Sequence, residues 1–158
     1  DEGYIEELAH DLLTGALEFG ATRVAEVMTP RDAIVSVTRQ ATVAEVEQLA
    51  VETGHSRLPV IGRDLDDVQG FVHAKDLLVL APRTQGSLLP VRLVRSMVLA
   101  RCDWSLDAVR RTMRRSRVHF AVVVDDAGRT AGIVTLEDLL EELVGDIVDE
   151  TDRDAAVE

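Results

Sequence analysis

Two stretches of this chain are versions of one another. "GFVHAKDLL" (Gly70 to Leu78) and "GIVTLEDLL" (Gly132 to Leu140) lie 62 residues apart. Both read as a glycine, an apolar pair, two variable positions, one charged position and then Asp-Leu-Leu. Upstream, "ATVAEVEQLAVETGHSRLPVI" matches "WSLDAVRRTMRRSRVHFAVVV" at a separation of 63. The separations differ only across the loops "GRDLDDVQ" and "DDAGRTA", where a change of length costs little. Such a repeat is one supersecondary unit used twice, so the two halves must fold alike.

Each copy carries the same order of signals. A short apolar strand is expected at Ile34 to Val37 and again at Met97 to Ala100. A helix follows, with Val43, Val46, Leu49 and Ala50, or Leu106, Val109 and Met113, spaced along one helical face. Thr42 and Glu45 stand at capping-box spacing before the first of these helices. Next come a buried-type strand (Leu58 to Ile61; Phe120 to Val124), a polar turn containing Asp-Asp, a strand beginning at the repeated glycine, and a last helix. The order β-α-β-β-α, twice, predicts an α/β (α+β) protein of two pseudo-symmetric halves. Ahead of it, Ile5, Leu8, Leu12, Leu13 and Leu17 mark a lead-in helix over Tyr4 to Phe19, ended near Gly20. The expected organisation is 1–23 lead-in helix and linker, 24–81 first half, 82–90 linker, 91–147 second half and 148–158 acidic tail. The 82–90 linker rests on Pro82, Gly86 and Pro90.

Composition narrows the function classes. With 46% hydrophobic and 29% charged residues the chain is of globular type, and with only 3% aromatics its core must be aliphatic. A net charge of −12 argues against nucleic acid or anionic lipid as a general partner, because phosphate neutralisation needs a basic face. The single cysteine, Cys102, excludes an internal disulfide and fits a reducing compartment. No apolar run is long enough to span a bilayer, and no signal peptide is present. The chain lacks an initiator methionine, opens within a helical pattern and closes in an acidic run, and so reads as a piece of a longer protein. Nothing marks an enzyme. His10, His55, His73 and His119 lack metal-ligand spacing, Cys102 has no adjacent histidine, and neither a GxxxxGK[ST] loop nor a GxGxxG turn occurs. No catalytic or protein-held metal residues are therefore expected.

One pair of residues supports two readings. Thr135 and Asp138 sit three apart where an apolar strand gives way to an amphipathic helix. That is the spacing with which a helix caps itself, a contribution of about 1 kcal/mol. It also suits a nucleotide: the first helical turn favours anions, a threonine hydroxyl can donate to phosphate, and an Asp one turn on can accept from ribose hydroxyls. Spacing alone leaves both open.

Taken together, the repeat, "VMTPR", "GHSRLPV" and "GIVTLEDLLEELVGDI" resemble a pair of CBS domains (a Bateman module), and more closely the CorC/HlyC group, related to cyclin M-type magnesium transport mediators. The similarity covers nearly the whole chain, including "GALEFGATRVAEVMTPR". The resemblance implies tandem CBS domains on the cytoplasmic side of a membrane, following a transmembrane domain absent from this chain and pairing into a homodimer. It implies a regulatory module that binds an adenine nucleotide (ATP, ADP or AMP, with Mg2+ arriving on ATP) and serves Mg2+ or Co2+ efflux. Carried over residue by residue, Thr135 would contact phosphate and Asp138 the ribose. Thr29, Ser56 and Arg57 would complete the cleft, Arg57 on phosphate, while Ile34, Leu58 and Pro59 would wall the adenine. The other copy departs from the pattern: His73 replaces the Ser/Thr, Asp76 is kept, and "VHFAVV" lacks Ser-Arg, so one competent nucleotide site is expected. A ligand-free dimerisation scaffold is the alternative.

Other features have plainer readings. Arg110, Arg111, Arg114, Arg115 and Arg117 form a solvated helix face, or a charge partner for the acidic tail, a membrane surface or a dimer neighbour. Trp104 is expected to pack rather than stack on a base. Glu137, Glu141, Glu142, Asp146, Asp149, Glu150 and Asp152 are expected to be solvated rather than a Mg2+ cage. His55 and His119 are expected to be structural or cleft-lining.

Overall fold

The computed structural model describes residues 2–155, with side chains described throughout except at 14, 15, 18 and 146–155. The lead-in pattern forms α1 (Glu2–Ala21). A two-residue strand, β1 (Thr29–Pro30), precedes the repeat proper. The first copy then runs β2 (Val37–Thr38), α2 (Val43–Thr53), β3 (Arg57–Ile61), β4 (Val68–His73) and α3 (Ala74–Leu77). The second runs β5 (Val98–Arg101), α4 (Leu106–Ser116), β6 (Phe120–Val124), β7 (Thr130–Thr135) and α5 (Leu136–Ala155). In each half a parallel pair (β2–β3; β5–β6) is joined by the helix, and an antiparallel strand (β4; β7) follows. The predicted β-α-β-β-α order is the observed one.

Local chemistry explains the helix boundaries. The α2 capping box is made: Glu45 N–H donates to Thr42 Oγ1 at 3.2 Å, and Thr42 N–H donates to Glu45 Oε2 at 3.0 Å. Gly54, at φ 73°, ends the helix in the left-handed conformation that glycine adopts freely. In the second half Ser105 Oγ accepts from Ala108 N–H, and Arg117 holds the left-handed position at φ 55°. A non-glycine residue there costs about 1 kcal/mol.

The repeated glycines mark where the halves exchange chain. β1 leaves the first half and pairs antiparallel with β7, Thr29 opposite Ile133 and Pro30 opposite Gly132. A side chain on Gly132 would collide with the Thr29 carbonyl oxygen, and would come within 2.6 Å of Met28 Sδ. The mirror crossing brings Arg95 to β4: Phe71 N–H donates to Arg95 O at 2.9 Å and Arg95 N–H to Phe71 O at 2.7 Å. Gly70 there abuts the Arg95 carbonyl. The first crossing also corrects the predicted strand at Ile34 to Val37. Having paired with β7, the chain must turn back through a 3-10 turn, Arg31–Ala33, and regains a strand partner only at Val37. The second-half strand lies at Val98–Arg101 instead of Met97 to Ala100.

Each half has its own aliphatic core. Val43, Val46, Leu58, Val60, Val72 and Leu77 centre the first; Leu106, Val109, Met113, Ala121, Val123, Val134 and Leu139 centre the second. Phe19 of α1 and Val24 are buried in the second core, and Trp104 packs half-buried against it, as expected. Val24 N–H donates to Trp104 O, and Leu106 N–H to Thr22 O, so the chain from 22 to 30 rides on the second half. Phe71 and Phe120 stack across the halves with centroids 5.1 Å apart. The 82–90 stretch is docked: Ser87 O and Gln85 O accept from the first N–H groups of α2, at Val43 and Ala44, and Leu89 is buried in the first core.

A polar clamp also joins the halves. Asp66, in the β3–β4 loop, accepts from Thr130 N–H at 3.0 Å, while Arg31 donates to both Asp66 and Thr130 O. Arg31 first, then the Thr130 N–H, hold the Asp66 carboxyl below the usual carboxylate range. A lowered folded-state value means stability that is present above the unfolded value of about 3.9 and is lost as pH falls through the folded one. Asp66→Asn is therefore expected to lower Tm at neutral pH, with the deficit closing on acidification below about pH 4. Melting curves of both proteins across that range test this, and a pH-independent deficit would show that the charge is not what matters.

Candidate functional site

The exchange of strands opens two clefts between the halves, one for each copy of the repeat. The larger has a volume of about 540 Å³. β1 supplies Thr29, the α2–β3 junction supplies His55, Ser56 and Arg57, and the β7–α5 junction supplies Thr135 and Asp138. Five of the eight residues expected from sequence (Thr29, Ser56, Arg57, Thr135 and Asp138) thus line one cavity. The three expected wall residues do not. Strand alternation turns Leu58 into the first core, Pro59 is buried further along β3, and Ile34 stands between the two residues that reach the cavity, Ala33 and Val35. Phe120 and Ile133 complete the apolar wall. Phe120 occupies the position of Arg57 in the repeat, a signal already present in the 63-residue match. The rim carries Glu137 and Glu141.

The Thr135–Asp138 capping box is closed. Thr135 N–H donates to Asp138 Oδ2 at 3.0 Å, and Asp138 N–H donates to Thr135 Oγ1 at 3.1 Å. This leaves the hydroxyl hydrogen of Thr135 and Oδ1 of Asp138 without a partner among the described residues. Arg57 spans the halves, its Nη2 lying 3.2 Å from Glu137 Oε1. The arrangement offers an apolar slot for a flat ring, a carboxylate oxygen for a diol, and a guanidinium with hydroxyls beside a helix N-terminus for phosphate. Cap and ligand roles use different atoms of the same two side chains.

The second cleft is smaller, about 290 Å³, and chemically different. His73 Nδ1 accepts from Lys75 N–H at 3.1 Å, which caps the short α3. Asp76 is gripped by Arg95 through two bonds, Nε to Oδ2 at 2.8 Å and Nη2 to Oδ1 at 2.7 Å. This grip holds the Asp76 carboxyl below the usual range. Burial, then Arg57 and Lys75, push the His73 imidazole down, so it is neutral at neutral pH. The acidic residue that would take a ribose already has both oxygens engaged.

Other flagged residues fall into place. His55 lines the first cleft and His119 the second. Burial, then Asp125, Asp126 and Asp103, push the Cys102 thiol up, opposite to what a nucleophile needs. Arg110 and Arg111 pair with Asp107 on their own helix. The acidic side chains of Asp146, Asp149, Glu150 and Asp152 lie outside the described residues. Among the described residues, no group of three or more His, Cys, Asp or Glu could hold a metal, and no helix is long and apolar enough to cross a membrane.

A family model described as "CBS domain" matches residues 24–82 and 93–145. The chain is 40% identical over 145 residues to a UPF0053 protein of Mycobacterium bovis, covering 90% of this chain and 33% of that protein. It is 34% identical over 150 residues to the magnesium and cobalt efflux protein CorC of Salmonella typhimurium, covering 95% of this chain and 51% of the relative. The chain thus spans between 33% and 51% of the length of these relatives. Among solved structures, the CBS domain of a bacterial CNNM/CorC family Mg2+ transporter superposes with a TM-score of 0.83 at 33% identity, covering 91% of this chain and 88% of that one. The CBS domain of a bacterial transporter of that family in complex with ATP superposes with a TM-score of 0.81 at 33% identity, covering 87% of this chain and 97% of that one.

Proposed function

The chain belongs to the CBS-domain family as a tandem pair, and from that premise we propose that it is a regulatory module that binds an adenine nucleotide in the larger cleft. The observation that carries this reading is the convergence of Thr29, Ser56 and Arg57 from one copy with Thr135 and Asp138 from the other in a single cavity. Asp138 Oδ1 receives the ribose, Thr135 and Arg57 hold phosphate, and Ala33, Val35, Phe120 and Ile133 flank the base. The relative solved with ATP, and the CorC relatives named for magnesium and cobalt efflux, support ATP as the nucleotide and Mg2+/Co2+ transport as the setting. Mg2+ arrives on the phosphates, since hard cations take one or two carboxylates together with phosphate oxygens. The module lies on the cytoplasmic side of a membrane, attached to a transmembrane domain, and pairs as a homodimer. The domain limits we adopt are 24–81 and 91–147, with 1–23, 82–90 and 148–158 as flanking segments.

Because the ligand touches both halves, it favours whichever arrangement of the halves binds it better, and this is how an attached domain is controlled. The test is a melting screen of AMP, ADP and ATP with and without Mg2+. A ligand of the native state at a hundred times its Kd adds about 2.7 kcal/mol, which for a chain of this size raises Tm by roughly 5–10 °C. The closed capping box favours one second reading, a ligand-free scaffold in which Thr135 and Asp138 serve only α5. That reading requires a flat melting screen at millimolar nucleotide.

A further inference from the structure

We propose that the smaller cleft is a separate site for a compact multivalent phosphate-type anion, bound without a nucleoside. The repeat shows what changed between the clefts. Arg95 stands where Thr29 stands, each opposite the repeated glycine strand. Arg117 stands at the position of Gly54, His119 at that of Ser56, and His73 at that of Thr135. Four small or neutral positions of the first cleft have become basic side chains, in a protein of net charge −12.

Their surroundings point the same way. The cavity is lined by Arg57, His73, Arg95, Arg117 and His119 with no carboxylate among its lining residues. Arg95 is held rigid by Asp76 through two hydrogen bonds, which also engage both oxygens of the carboxylate that the repeat places at the position of Asp138. Arg117 has no ion-pair partner among the described residues, and it takes the left-handed conformation at φ 55° where the first copy uses glycine. A guanidinium kept at a strained helix end, unpaired and facing a cavity, is the kind of outlier that marks a binding role. The cavity has little more than half the volume of the first, which suits a compact ligand. His73, neutral in the empty cleft, becomes easier to protonate once an anion sits beside it, which adds to the attraction.

Two sources present this chemistry: a free oligophosphate, or the phosphate tail of a nucleotide whose base lies in the first cleft, reached through Arg57, which borders both cavities. The proposal is the free anion. The probe is inorganic pyrophosphate, titrated calorimetrically into the whole chain, alone and with saturating AMP. Arg117→Gly is the key variant, because glycine relieves the left-handed strain and the fold is retained. We expect saturable one-to-one binding, weakened about tenfold or more in Arg117→Gly. It should be unchanged in Asp138→Ala and should persist with AMP present. Absence of saturable binding at millimolar pyrophosphate, wild-type affinity in Arg117→Gly, or full displacement by AMP would each overturn the assignment. If Arg117→Gly weakens ATP but not AMP, and pyrophosphate does not bind, the cleft serves the nucleotide tail and the proposal fails. The larger cleft is read separately by AMP binding, so neither site's failure is mistaken for the other's.

Discussion

Asp138→Ala is expected to bind ATP about a hundredfold more weakly than the wild-type chain while remaining folded, because two charge-assisted hydrogen bonds to a ribose diol are lost together. The variant also loses half of the α5 capping box, since Thr135 N–H donates to Asp138 Oδ2. That loss costs about 1 kcal/mol and lowers Tm by a few degrees. Asp138→Asn separates the two roles. Its amide oxygen can still accept from Thr135 N–H, so Tm should stay near wild type, yet it offers no charged acceptor to the diol, so affinity should still fall roughly tenfold. Calorimetry of ATP on the three proteins, beside their melting curves, reads both effects. Equal ATP affinity in all three would remove Asp138 from the site and leave it as a cap only.

Gly132→Val should be the most destabilising single change in the strand exchange, by about 3 kcal/mol or more. A Cβ at this position meets the Thr29 carbonyl and the Met28 side chain. A carbonyl paired into a strand cannot step aside as the end of a flexible side chain can. For a chain of this length the loss corresponds to a Tm drop of roughly 10 °C. It should also weaken ATP, because pushing β1 off β7 takes Thr29 out of the cleft. Gly70→Ala should behave similarly against the Arg95 carbonyl, with added strain from φ 153°. Gly86→Ala, which meets nothing within 4 Å, is the control and should leave Tm unchanged. Thermal melts of the set decide the point: Gly132→Val melting with the Gly86→Ala control would mean the crossing is loosely packed.

These glycines show what kind of information a repeat carries. Their recurrence is visible in the chain, and it rightly places a strand followed by a helix. Their purpose is not, because the atoms that forbid a side chain at Gly132 belong to Met28 and Thr29, about a hundred residues away. The same limit governs the cleft. Thr29, Ser56, Arg57, Thr135 and Asp138 meet in one cavity because motif positions keep their local geometry at strand ends and helix starts. The apolar wall follows no such local rule. Whether Leu58, Pro59 and Ile34, or Ala33, Val35 and Phe120, face the cavity depends on strand parity and on a 3-10 turn forced by the strand exchange.

The sequence by itself determined the two β-α-β-β-α halves, the α2 cap, an aliphatic core and the chemical difference between His73 and Thr135. Each of these is carried by neighbours within a few residues, where periodicity and capping act. Only the tertiary structure decided that the chain around Thr29 belongs to the second half's sheet, that Asp76 is taken by Arg95, and that Arg57 borders both clefts. Those contacts join residues distant in sequence, and they arise only when two bodies, each already able to fold locally, are packed with exchanged strands.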